Sequence, residues 1–221
     1  ILFVNDIIFP DARLFQRKKS PEEEYALFLG DIQVGSKLFM QQNFLGFVDY
    51  LNGKIKLEGA PEPDKIKYIF IVGDVVEGIG IFPKQEQELE ISDLEKQYVK
   101  LAELLNKINQ NLLIIISPGN HDGVRLMEPQ PVFDEKYSWP IYNLKNVVLT
   151  GNPSLVNIGQ KNYFPGFNVL TYHGFSYPYY SDNVPKFVGQ DVMNNPEKIM
   201  EYLLKHRHLA PSHGSTQYYP L

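Results

Sequence analysis

The sequence predicts an α/β fold, and three stretches carry that prediction. Tyr25-Ala26-Leu27-Phe28-Leu29 runs into Gly30-Asp31-Ile32-Gln33. Tyr68-Ile69-Phe70-Ile71-Val72 runs into Gly73-Asp74-Val75-Val76-Glu77. Leu112-Leu113-Ile114-Ile115-Ile116 stops at Ser117-Pro118-Gly119 and is followed by Asn120, His121 and Asp122. Each is a short, near-continuous apolar run, the pattern of a strand buried on both faces of a parallel sheet. Asp31 and Asp74 are 43 positions apart (31 to 74), and Asp74 and Asn120 are 46 apart (74 to 120). Each interval has room for a crossover helix. Ligands in open α/β sheets collect beyond the carboxyl ends of the strands, so Asp31, Asp74 and Asn120 are expected at one rim.

In chain order, Ile1 to Phe9 is expected as a short strand and Arg17 to Glu24 as a charged loop. The start, Ile1-Leu2-Phe3-Val4, lacks Met and any signal-peptide pattern, so the chain is expected to be cut from a longer one, with residues 1–24 a strand and linker from a preceding region. Phe39, Phe44, Phe47, Val48 and Leu51 fall at roughly helical spacing. A second helix is expected from Ser92, with Glu95 completing a capping box. Leu94, Tyr98, Leu101, Leu104, Leu105 and Ile108 would form its buried face. Pro129 to Pro140, rich in proline and aromatics, is expected to cover the edge of the site. Val147 to Leu149, Leu155 to Ile158 and Phe167 to Tyr172 read as further strands with turns at Asn152-Pro153 and Gly159-Gln160. A last helix is expected over Pro196 to Arg207.

Composition narrows the function. The 221 residues suit one large α/β domain, and 43% are hydrophobic, enough for a proper core. A net charge of −5 argues against holding nucleic acid by bulk electrostatics. It leaves open an enzyme that meets a phosphodiester through metal ions, since these bring positive charge locally. Zero cysteines exclude a disulfide framework and Cys-based zinc sites, and fit an intracellular protein. No apolar run approaches the roughly 18 residues that would span a membrane.

Asp31, Asp74, Asn120 and His173, the last at the end of Thr171-Tyr172-His173-Gly174, offer three oxygen donors and one nitrogen. That mixture suits Mn²⁺, Fe²⁺ or Zn²⁺ better than a soft-metal site. Two such ions could share a carboxylate and act together on a phosphodiester. His121, next to Asn120, is placed to give a proton to a leaving oxygen. Asp122 is expected to orient that imidazole. Arg125 reads as a loop brace, Glu86, Glu88 and Glu90 as a solvated face, and His206 and His208 as part of a helix end. Tyr177, Tyr179 and Tyr180 suit packing better than stacking on single-stranded bases.

Taken together, Gly-Asp-x-x at 30–33, Gly-Asp-x-x-Glu at 73–77, Gly-Asn-His-Asp at 119–122 and His-Gly at 173–174 resemble the calcineurin-like metallophosphoesterases. Asp-Ile-x-Val-Gly-Ser-Lys at 31–37, Gly-Asp-Val-Val-Glu-Gly-Ile-Gly-Ile at 73–81, Pro-Gly-Asn-His-Asp at 118–122, Pro-Gln-Pro at 129–131 and Arg-His-Leu-Ala-Pro at 207–211 extend the likeness to the small subunits of archaeal family D DNA polymerases. The resemblance implies an αββα sandwich, two mixed sheets flanked by helices, spanning residues 1–221. It implies a proofreading 3′-to-5′ exonuclease using two divalent ions, usually Mn²⁺ (with Fe²⁺, Zn²⁺ or Mg²⁺ as alternatives). Its partners would be the large polymerase subunit and single-stranded or primer-terminus DNA, in the archaeal cytoplasm beside the nucleoid. By resemblance Asp74 bridges two metals, Asp31 binds the first, and Asn120 and His173 bind the second, with His121 assisting the leaving group.

Two departures stand out. Gln33 occupies the position where the family has His in Asp-x-His, giving the first metal a neutral amide as a weaker ligand. The family's closing Gly-His-x-His does not occur before Leu221, so the domain is expected to be truncated at its C-terminal side. The alternative these departures suggest is a weakened or inactive scaffold bound to the large subunit.

Overall fold

Strand β1 (Tyr25–Leu29), β2 (Ile66–Val72), β3 (Leu113–Ser117) and β4 (Val147–Leu149) lie side by side in that order, every pairing parallel. This is a computed structural model, and it describes residue 11 and residues 18–207. The expected strand over Ile1 to Phe9 and the tail from His208 lie outside the described residues. The central strands are buried as their sequence requires: Ile69, Phe70 and Ile71 on β2 and Ile114, Ile115 and Ile116 on β3 are all enclosed. Edge strand β1 alternates between half-buried and exposed positions. Helix α1 (Gln41–Leu51) connects β1 to β2, and α2 (Leu94–Leu105) connects β2 to β3. Val48 and Leu51 from α1, and Leu101, Leu104 and Leu105 from α2, join the sheet residues in one core. Each such side chain stabilises the fold by about 1.5–3 kcal/mol on full burial.

Strands β5 (Ser154–Ile158) and β6 (Phe167–Thr171) form a separate antiparallel pair. Among the described residues neither sheet is therefore mixed, one having four parallel strands and the other two antiparallel, with helices flanking. A bond from the Gly159 amide to the Tyr68 hydroxyl (3.1 Å) ties the hairpin to β2.

Two local expectations need correction. The cap of α2 is Asp93, whose carboxylate accepts from the Lys96 amide at 2.8 Å, rather than Ser92. An aspartate at this position satisfies a free amide and places negative charge at the positive end of the helix dipole. The second half of 129–140 begins a helix, α3 (Glu135–Tyr142), capped by Asp134 and carrying Pro140 inside it. The Trp139 indole donates to Glu95 at 2.8 Å, fastening α3 to α2.

The chain divides into two units, one formed by residues 20–173 and the other by residues 1–19 with 174–221. All six strands and α1 to α3 belong to the first. The second contains α4 (Tyr177–Asn183) and α5 (Glu197–His206). There, Phe187 meets Tyr202 edge to face at 5.2 Å, and Tyr179 meets Tyr180 likewise at 5.8 Å. Tyr180 is buried, so packing is its role. No helix among the described residues is long and apolar enough to cross a membrane.

Candidate metal centre

Because β1, β2 and β3 are parallel, their carboxyl ends share one rim. Asp31, Asp74 and Asn120 follow two, two and three residues beyond Leu29, Val72 and Ser117. The ladder continues past the strand ends: the Gly73 amide donates to the Ser117 carbonyl (2.9 Å), Asp31 to Gly73 (3.1 Å) and Gln33 to Asp74 (2.9 Å). Asp31, Gln33 and Asp74 all sit in the left-handed region, with φ of 53°, 52° and 51°. Such backbone costs a non-glycine residue about 1–3 kcal/mol and persists where the surroundings over-determine it, often at functional sites. Here the extended ladder holds it.

The side chains converge. Ligand atoms of Asp31, Asp74 and His173 all lie within 4.8 Å of one another. His173 Nε2 is 3.0 Å from Asn120 Oδ1 and 3.5 Å from Asp74 Oδ1. Asp74 Oδ1 also accepts from the His121 amide at 2.9 Å, and His121 Nε2 stands 3.9 Å from Asp74 Oδ2. Both imidazoles are oriented from behind. His173 Nδ1 meets the Val72 carbonyl at 3.1 Å, and His121 Nδ1 meets the Glu77 carbonyl at 2.7 Å. A carbonyl only accepts, so each Nδ1 carries a hydrogen and each Nε2 is turned toward Asp74.

Two glycines make this closeness possible. A Cβ on Gly73 would stand 2.1 Å from His173 Nδ1, and one on Gly119 would stand 2.2 Å from Asp74 Oδ1. No side chain fits at either place.

The charges are strongly coupled. Burial works against the charged form of His173, but Asp74 beside it outweighs this and raises the imidazole to about 9. Burial likewise opposes the charge on Asp74, and His173 overrides it, leaving that carboxyl below its ordinary value. Asp31, open to solvent on one side, is raised by the partial burial of its carboxyl first and then by repulsion from Asp74, against the pull of His173. Fully enclosed Asp122 is raised to about 7 by burial and by Asp74, against the pull of two backbone amides.

Those amides correct one expectation. The Asp122 carboxylate accepts from Val76 N (3.1 Å) and Gly119 N (2.7 Å), while the imidazole of His121 is held by Glu77. Asp122 therefore clamps the loop after β3 onto the loop after β2, and the Tyr98 hydroxyl donates to its carbonyl at 2.6 Å. Gln33 lines, with Asp31, a groove of about 520 Å³ beside the rim. Arg125 braces its loop through the Pro129 carbonyl at 2.7 Å. Glu86, Glu88 and Glu90 are exposed. The His206 ring leans on Tyr202 at the end of α5.

Sequence reasoning passed over a set of buried amides behind the rim. Gln97 donates to the Gly78 and Ile91 carbonyls and accepts from Gly78 N, and Gln85 does similar work for Ile81 and Glu77. Gln130 and Asn152 bond to each other and to the segments carrying Asn120 and His173. In the sequence Pro-Gln-Pro carries only part of the family likeness and Asn152-Pro153 only a turn, so neither gives Gln130 or Asn152 a role.

The residues present fit a divalent metal. Two carboxylates and an imidazole, with an amide oxygen adjoining, are the hard-to-borderline donors such ions take, and the two glycine positions leave them room to close in. Asp31, Asp74 and His173 would hold it, with Asn120 alongside.

A parallel sheet that gathers Asp, Asp, Asn and His at its carboxyl rim defines a class, and comparison agrees. The family of calcineurin-like phosphoesterases matches residues 1–219, and the chain belongs to that family. It is also similar to DNA polymerase II small subunits: 39% identical to that of Pyrococcus abyssi over 97% of this chain and 33% of the relative. Against that of Archaeoglobus fulgidus it is 40% identical over 96% of this chain and 41% of the relative. Against that of Halobacterium salinarum it is 37% identical over 97% and 39%. The chain thus spans about a third to two-fifths of the length of these curated relatives.

Proposed function

We propose that the chain is the phosphodiesterase domain of an archaeal replicative polymerase small subunit, removing nucleotides from the 3′ end of single-stranded or primer-terminus DNA. The observation that carries this reading is the convergence of Asp31, Asp74 and His173 donor atoms within 4.8 Å at a parallel-sheet rim. The relatives' name, DNA polymerase II small subunit, supports the polymerase context; in this reading the chain works with a large subunit in the cytoplasm.

In this reading Asp31, Asp74, Asn120 and His173 would hold two divalent ions, Mn²⁺ best suited, with Gln33 a weaker ligand to the first. When bound, they supply positive charge to the phosphodiester and lower the pKa of water. The chain's own residues do the rest. Asp74, reached by both histidines, stands between the two halves of the site. Val72 fixes His173 with Nε2 forward, as a ligand requires. Glu77 fixes His121 the same way. In its imidazolium form His121 would pass the Nε2 proton to the leaving 3′-oxygen as water adds to phosphorus and the P–O3′ bond breaks, the proton lost by the water going to solvent.

A 5′-labelled single-stranded oligonucleotide tests this. With Mn²⁺ it is expected to shorten from its 3′ end, with no shortening in chelator or in Asp74→Ala, which also loses Mn²⁺ uptake by calorimetry. No cleavage of DNA and no metal uptake by the wild-type chain sinks the reading. Faster turnover of a nitrophenyl phosphomonoester than of DNA would instead mark a small-molecule phosphatase. One observation favours a second reading, a scaffold on the large subunit: Gln33 puts a neutral amide where an imidazole would bind a transition metal more firmly. Stable assembly with the large subunit without metal uptake would select it.

A further inference from the structure

Asn152 is wholly buried and Gln130 nearly so. Neither belongs to the metal-facing set. Their backbones pair, Gln130 N to Asn152 O at 2.7 Å and Asn152 N to Gln130 O at 3.1 Å. Their side chains then form a directed chain of bonds. Gln130 Nε2 donates to the Gly119 carbonyl (3.0 Å) and to the Arg125 carbonyl (3.2 Å). Gln130 Oε1 accepts from Asn152 Nδ2 (2.7 Å), and Asn152 Oδ1 accepts from the His173 amide (2.8 Å). Neither carboxamide can turn over, because each reversal would set donor against donor or acceptor against acceptor.

The bonds close a ring. Gly119 precedes Asn120, and Asn120 Oδ1 meets His173 Nε2 at 3.0 Å. Two donors separated by 53 positions in sequence are thus set at a fixed spacing by two amides that lie behind them. Every polar atom along this path is partnered, which makes a buried network rigid rather than costly. At Gly119 the backbone already lies so close to the other donors that an added Cβ would stand 2.2 Å from Asp74 Oδ1 and 2.8 Å from His173 Nε2, so the segment has little room to drift inward. The tie supplies the opposing restraint, against drifting outward.

We infer that Gln130 and Asn152 are positioning residues that hold Asn120 and His173 at metal-binding separation. This rests on the proposed metal-dependent function. The test uses the 221-residue chain. Gln130→Met keeps the bulk and removes both polar ends of the tie. Ile114→Val, a core side chain of β3 that makes no bond to the tie, serves as a destabilised control, and Gln130→Glu keeps the acceptor for Asn152 while losing the donor to Gly119.

Two readouts are taken well below each variant's melting temperature. The first is Mn²⁺ binding by calorimetry. Gln130→Met is expected to weaken uptake by about 10–100-fold, as loss of a bond behind a ligand commonly does, with Gln130→Glu intermediate and Ile114→Val unchanged. The second is hydrogen exchange of the His173 amide in metal-free protein, expected to speed at least about tenfold in Gln130→Met while amides of β2 and β3 keep their protection. Wild-type Mn²⁺ affinity in Gln130→Met, or a His173 amide as protected as in the wild type, overturns the inference. A wild-type chain that takes up no Mn²⁺ overturns the functional reading instead, and the exchange rate then decides the tie alone.

Discussion

The rim has two halves, and they are built on different principles. Asp31 and Gln33, beyond edge strand β1, are held mainly by backbone bonds to the neighbouring loop, in left-handed conformations, with Asp31 exposed. Asn120 and His173 are held by buried side chains: Asp122, Gln130 and Asn152 brace their segments and Tyr98 stands behind Asp122. One half is open and adjustable; the other is set in place before any ligand arrives. Gly30-Asp31 opens the first half and Gly73-Asp74 abuts His173 of the second, and these two glycines expose the contrast. A Cβ on Gly30 would meet nothing closer than the Val72 carbonyl at 3.4 Å, whereas one on Gly73, at φ 82°, would enter the His173 ring.

Alanine at the two glycines therefore separates the halves most sharply. Gly73→Ala is expected to destabilise by about 2–5 kcal/mol, combining left-handed backbone strain with overpacking, and to abolish metal uptake by displacing His173. Gly30→Ala should stay within about 0.5 kcal/mol and bind metal normally. Urea denaturation and Mn²⁺ calorimetry on the pair check this; equal losses in both would erase the distinction.

Protons provide the next test. In metal-free protein Asp122 is raised to about 7 and His173 to about 9, from 3.8 and 6.5. Asp31 is raised as well. In each case the folded state holds its proton more tightly than the unfolded chain. The resulting stability is full below the unfolded pKa and is lost as pH climbs through the folded one. Asp74 is shifted the other way, so its contribution fades only below the ordinary carboxylate range and is flat above it. The urea midpoint in chelator should therefore fall between about pH 4 and pH 9. Mn²⁺ would take the place of the protons on Asp31 and His173, so the gap between Mn²⁺ and chelator should widen with pH. A chelated midpoint that rises across that interval sinks the account.

These contrasts also explain what could be read from the chain alone. An apolar run ending in Gly-Asp is a local signal: strand, tight turn and carboxylate are consecutive, so Asp31, Asp74 and Asn120 could be placed at one rim from spacing and parallel topology. Asp122 misled because adjacency in sequence does not give side-chain direction. It points to Val76 and Gly119, away from its neighbour's imidazole. Gln130 and Asn152 were illegible for a related reason. An amide acts through its partner, here 22 positions away; beside proline, Gln130 in Pro-Gln-Pro carried only a likeness and Asn152-Pro153 only a turn. Helix α3 was hidden by the same residue type, since Pro129, Pro131 and Pro140 mask a helix whose evidence is its Asp134 cap and its packing on α2.

The mildest substitution bears on the open half. Gln33 already has φ 52°, a conformation histidine tolerates better than most side chains. Its backbone amide bonds to the Asp74 carbonyl whatever the side chain, and its side chain lines an open groove. Gln33→His should thus change stability by no more than about 0.5 kcal/mol. Replacing a neutral amide by imidazole should strengthen first-metal binding, by roughly tenfold if the backbone already aims the side chain at Asp31, since ligand softness and charge then act without a reorganisation cost. Nuclease activity on single-stranded DNA should rise with it at limiting Mn²⁺ and converge with the wild type at saturation. Because Asn120 and His173 are fixed independently, binding at their end should not move. A gain in both halves would show the rim to be one coupled unit; no gain in either would remove position 33 from the metal site.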